Sequence, residues 1–164
     1  MNSDRIRGFH GAWASNARLW SITTRRLVNS FDLGEVRLSV VALHQCVNYA
    51  WLLVTGKRGV DLNADARSDC PLDLTELERL RERLRQMRDE VLHLSDKTEH
   101  GHFVNTSWTR DEPFLTVSTS VSKGRAGEVR QDSISRTEVE TLLDRLDPWL
   151  KRHHHRLIGI AVGE

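Results

Sequence analysis

The sequence predicts a mainly α-helical bundle with one β-hairpin inserted before its last helix. Three observations carry that prediction. Apolar residues recur three and four apart through most of the chain, the period at which side chains share one face of a helix. Short acceptor residues followed three positions later by Glu precede several of these stripes, as helix amino termini require. One stretch, roughly 113–134, changes instead to period-two alternation around a glycine-containing turn. The 164 residues suit one core, so 1–164 is read as a single domain. No internal repeat or low-complexity tract is evident.

The first helix runs from Trp13, with Trp13, Ala17, Trp20, Leu27 and Phe31 on one face and Arg18, Arg25 and Arg26 off it. Asp32 and Glu35 form a capping-box-like start for a second helix over about Val36 to Val54. That helix is apolar over most of its circumference, which predicts the most buried element, and Gly56 and Gly59 end it. After a polar loop, Thr75 and Glu78 predict the start of a third helix with a stripe of Leu77, Leu80, Leu84, Met87, Val91 and Leu94. FLTVSTSV (Phe114 to Val121), the turn KGRAG and EVRQDSI then predict the hairpin. Ser135 and Glu138 open a last helix with Val139, Leu142, Leu143, Leu146, Trp149 and Leu150 inward and a kink at Pro148.

With 38% hydrophobic and 29% charged residues and a formal net charge of +1, the composition is that of a globular protein. It excludes nucleic-acid binding driven by bulk charge, though not a local basic groove. Cys46 and Cys70 lack C-x-x-C spacing, which suits buried or free thiols in a reducing cytosol. The start, MNSDRIRGFHG, lacks the apolar core of a signal peptide, and no uninterrupted 18-residue apolar run occurs, so the reading is cytoplasmic with no membrane partner.

The chemistry concentrates in MRDEVLHLSDK, Met87 to Lys97. At about 100° per residue the core stripe of the third helix leaves Arg88 beside its edge and His93 roughly opposite, about 140° from Arg88. The cluster thus falls on a face turned away from the bundle. Asp89 and His93 are i,i+4 neighbours, so the carboxylate can orient the ring and favour the imidazolium. Arg88 offers a permanently charged fork for a phosphate. Acid/base and oxyanion clamp together suffice to cleave a phosphodiester without a metal.

This stretch, LRQMRDEVLHLSDK, resembles the signature of HEPN domains, helical bundles of many prokaryotic toxin and defence ribonucleases. Their motif is an Arg, usually a polar residue after it, and a His, with four to six positions separating the Arg from the His; Arg88, Asp89 and His93 match it. The resemblance implies an all-α bundle of about four helices that commonly dimerises so that two motifs line one cleft. It implies metal-independent RNA cleavage with no cofactor, in a toxin–antitoxin or phage-defence system. A nucleotidyltransferase-type antitoxin is the implied partner, with RNA as substrate and a homodimer as the working form. The hairpin before the last helix departs from the family pattern.

Arg5 with His10 and Arg37 with His44 share the spacing, about as chance allows, and only Arg88 is followed by an acid on a capped amphipathic helix. Arg37 and His44 read as a satisfied buried polar pair, with His44 also able to line the same cleft. The Arg88 cluster also admits a plainer reading, surface i,i+4 pairs at a helix carboxyl end. A non-catalytic helical interaction module is the alternative function. His93, His100 and His102, and the triplet His153, His154 and His155, lack ligand spacing, so no metal site is expected; the triplet reads as a solvated stretch. The tryptophans Trp13, Trp20, Trp51, Trp108 and Trp149 read as core. Arg79, Arg81, Arg83 and Arg85, balanced by Glu76, Glu78 and Glu82, read as a solvated face.

Overall fold

A computed structural model describes residues 3–30, 32–56, 64–92, 102–107, 114–121 and 128–157. The protein is mainly helical. In chain order the elements are α1 (Ser3–Val28), α2 (Leu33–Thr55), α3 (Ala64–Ser68), α4 (Leu74–Leu92), β1 (His102–Ser107), β2 (Phe114–Val121), β3 (Glu128–Ser135) and α5 (Arg136–Leu157). Helix α1 packs on both α2 and α5, and α2 packs on α4, while α4 and α5 stand further apart.

Helix α2 takes the central place that its apolar surface requires. Val40, Leu43, Cys46, Val47, Ala50 and Leu53 are all buried in the core. By length and composition residues Gly34–Thr55 would also suffice to cross a membrane, a property hidden from a search for uninterrupted apolar runs by Glu35 and Arg37. Here 56% of that window is buried inside the protein. Asp32 caps the helix by accepting from the Glu35 amide at 2.9 Å. At the other end the Gly56 N–H closes on the Leu52 carbonyl at 2.8 Å, with φ 72° and ψ 177°. Side chains with a Cβ rarely adopt that conformation. Gly56→Ala therefore costs about 1–2 kcal/mol, read as a shift in the urea midpoint at unchanged slope.

Helix α1 begins at Ser3, ten residues before the periodicity suggests, because the buried positions before Trp13 are His10 and Gly11, which carry no apolar period. Ser21 and Thr24 are fully buried, Thr24 donating to the Trp20 carbonyl at 2.7 Å and Ser21 to Asp147 of α5. Arg25 adds bonds to Asp147 at 2.8 and 2.9 Å and to Asp144 at 2.7 Å, riveting α1 to α5. The short α3, with Ala66 buried, lies in a loop whose polar sequence predicts no element.

The start of α4 lies earlier than the Thr75 box. Asp73 is the residue that accepts from the Glu76 amide, at 2.7 Å. Its stripe packs as expected, with Leu77, Leu84 and Met87 buried and Leu80 and Val91 at the core margin. The expected cap of α5 is present, Ser135 accepting from the Glu138 amide at 3.0 Å, and the helix continues through Pro148 to Leu157. Trp149 is buried, and Trp13, Trp20 and Trp51 pack against the core; Trp108, Phe31, Gly59 and Leu94 lie outside the described residues.

The hairpin is the larger part of a three-stranded antiparallel sheet in the order β1-β2-β3. Phe114 pairs with Ser135 and Val121 with Glu128, and the extra strand sets His102 opposite Val121. Sequence reasoning passes over β1 because its six residues, HFVNTS, place Phe103 beside Val104 and so do not alternate.

A repeat also escaped the sequence reading. TELERLRERL (Thr75–Leu84) and TEVETLLDRL (Thr137–Leu146) share Thr, Glu, Glu, Leu, Arg and Leu at the same places, each just inside a capped helix start. The two segments face each other antiparallel with reciprocal ion pairs. Arg83 bonds Glu138 at 2.7 Å, and the equivalent Arg145 bonds Glu76 at 2.8 Å. Only the fold reveals the relation, since ten-residue amphipathic helices resemble one another too readily in sequence.

Candidate functional site

Arg88 and Asp89 sit near the carboxyl end of α4, where the stripe of Leu84 and Met87 holds the helix against α2. The Arg88 guanidinium donates through Nε to Asp89 Oδ1 at 2.9 Å and through Nη2 to the same oxygen. Asp89 also takes Arg85 at 3.2 Å, and Arg85 in turn bonds Glu82 at 2.7 Å. Bonds from Arg85 and Gln86 hold the Glu82 carboxyl down at about 2. Asp89 is thus committed to two arginines. His93, expected as its partner, lies outside the described residues.

Arg88 is not on an outward face. Its side chain is 24% exposed and reaches α2, where Nη1 meets His44 Nδ1 at 3.4 Å. A position beside the core arc is the position that borders a neighbouring helix. Guanidinium has no acceptor, so His44 Nδ1 accepts and the proton sits on Nε2. Burial first, then the charges of Arg88 and Arg81, push the His44 pKa down to about 4. The imidazole at this site is neutral. The Arg37–His44 pairing expected from the sequence is corrected: His44 partners Arg88, and Arg37 Nε is buried without a partner among the described residues.

The same seam continues along α2 and α4. Arg81 lies over the Trp51 ring at 4.2 Å and donates to Asn48 at 2.8 Å. Arg83 bonds Glu138 and the Ser133 carbonyl. The arginines of α4 are therefore partly structural rather than a uniformly solvated face. Arg81, Arg85 and Arg88 form a cationic row one helical face wide, with His44, Asn48 and Trp51 opposite.

A second polar centre joins α1, α5 and the turn after α3. Asp69 Oδ1 accepts from Trp149 Nε1 at 2.9 Å and is 2.8 Å from His153 Nε2; Oδ2 is 3.4 Å from Arg152. Burial opposes the charge, but the bonds from His153, Trp149 and Arg152 hold the Asp69 carboxyl below its ordinary value. His10 lies 6.1 Å from His153 ring to ring, with Nε2 buried and without a partner among the described residues; burial, then His153, lowers its pKa. His154 bonds Ser15 at 2.9 Å.

The solvated reading of the His triplet is corrected here. His153 is 2% exposed, because α5 extends past Pro148 and turns Trp149 and His153, one turn apart, onto α1 and the Asp69 turn. Sequence reasoning missed Asp69, which sits in a polar loop without periodicity; the Trp149–His153 spacing was the available signal. Among the described residues no group of three or more His, Cys, Asp or Glu is placed to hold a metal, and His100, like His93, lies outside them. Cys46 and Cys70 are free thiols whose burial raises their pKa.

A groove of about 540 Å³ lies at the opposite end of α4, between the repeated segments and the end of β3; Arg88 and Asp89 do not line it. No family model, curated protein or solved structure matches the chain.

Proposed function

We propose that the protein is a cytosolic, HEPN-like, metal-independent endoribonuclease of a toxin–antitoxin or phage-defence system, working as a homodimer. Arg88 clamps the scissile phosphate, His93 exchanges the proton and Asp89 orients His93. In such a cleavage the ribose 2′-oxygen attacks phosphorus while a base takes its proton. The bond to the 5′-oxygen breaks as an acid protonates the leaving group. The observation that best supports this reading is that Arg81, Arg85 and Arg88 stand in one row along the α2–α4 seam, with the neutral His44 accepting from Arg88, so that three guanidinia lie near the motif. A nucleotidyltransferase-type antitoxin is the proposed restraining partner.

The alternative, a non-catalytic interaction module, draws support from Leu19 and Ile22, which α1 exposes by 59% and 58%. The two readings separate in one experiment. Purified wild type, His93→Ala and Arg88→Ala are incubated with mixed RNA in EDTA. The enzyme reading expects wild-type cleavage that both variants lose. An inert but folded wild type across a range of RNAs moves the assignment to the interaction module.

A further inference from the structure

We propose that the groove between α4 and α5 is a binding site for a small amphipathic monoanion, an apolar body bearing one carboxylate, and that Arg79 receives the carboxylate. The argument begins with the repeat. Because Arg83 reaches Glu138 and Arg145 reaches Glu76, an ion pair bridges the helices at each end of the groove. Each of these four charges is neutralised by its opposite across the gap. Asp73 accepts from the Glu76 amide at 2.7 Å, at the amino end of α4, where the helix dipole partly offsets its charge. Between these bridges α4 and α5 do not pack closely, and the space there reaches about 540 Å³. Small-molecule sites span about 300–1,000 Å³.

The floor between the bridges is apolar, made by Leu80, Leu142 and Ile134. The lining differs at two equivalent pairs, the helix caps Asp73 and Ser135 and, on the walls, Arg79 on α4 and Thr141 on α5. Arg79 is exposed and has no ion pair or hydrogen bond among the described residues. The lining thus offers an apolar floor, one uncommitted cation and a hydroxyl opposite. Two unpaired cations would suit a diphosphate; a single one suits a monoanion. A neutral ligand would leave Arg79 without a role, and the break in the repeat gives the bound molecule one orientation.

The probe is 11-(dansylamino)undecanoic acid, compared with its methyl ester, titrated by fluorescence against the intact protein at low salt. The acid binds wild type about fivefold more tightly than the ester, the ratio that an exposed ion pair confers. Arg79→Thr removes the preference and keeps the ester's affinity. Adding Thr141→Arg to that variant restores the preference, with the anion on the other helix. Thr141→Trp, at an exposed position, fills the groove and abolishes binding of both. Circular dichroism melts confirm that each variant is folded. Equal affinity for acid and ester in wild type, a preference that survives Arg79→Thr, or no binding of either probe overturns the proposal.

Discussion

Asp69→Ala lowers the unfolding free energy by about 4 kcal/mol. The carboxylate is the shared acceptor for Trp149 Nε1 at 2.9 Å and His153 Nε2 at 2.8 Å, on side chains that are 1% and 2% exposed. Neither donor can turn to solvent once the acceptor is gone. Each buried donor left unpaired costs about 1–3 kcal/mol, so the two together exceed the effect of an ordinary surface substitution several-fold. For a chain of this size the melting temperature falls by about 8–15 °C, measured by calorimetry. Asp69→Asn retains an oxygen for the two donors, which share Oδ1, but loses the charge, and costs about half as much. The Arg152 contact, at 3.4 Å and on the exposed side, adds little. A drop below about 2 °C for Asp69→Ala would show that the node holds nothing together.

Acid destabilises the fold through His44. Its pKa stands at about 4 in the folded chain against an ordinary 6.5, because burial and the guanidinia of Arg88 and Arg81 disfavour the imidazolium. The unfolded chain therefore binds a proton more readily than the folded one. Stability from the neutral ring is complete above pH 6.5 and is lost progressively as pH falls from 6.5 to 4. The full loss is about 3 kcal/mol. His10, lowered by burial and by His153, acts in the same direction. His44→Gln keeps an acceptor for Arg88 and removes the titration, so urea denaturation across this range should show a shallower fall for the variant. Identical pH profiles for wild type and His44→Gln would refute the assignment.

Much of the helical architecture was legible in residues taken singly. Period and capping placed α2, the stripe of α4 and the start of α5, since both depend on neighbours within four positions. The hairpin was legible for the same reason, pairing strands across a short turn. The missed features involve either weak local signals or distant partners. His10 and Gly11 hid the inner face of the start of α1, and β1 does not alternate.

The sequence by itself determined that the chain makes long amphipathic helices around an apolar α2, with Arg88, Asp89 and His93 grouped within six positions. Tertiary structure decided what those side chains meet. Arg88 turned out to border His44, 44 positions away. Asp69 anchors residues about 80 positions along the chain, and Arg79 faces a groove whose far wall comes from α5. Hydrophobic period sets which face of a helix is buried, but not which helix lies beside it; that choice follows from how whole apolar stripes share one core.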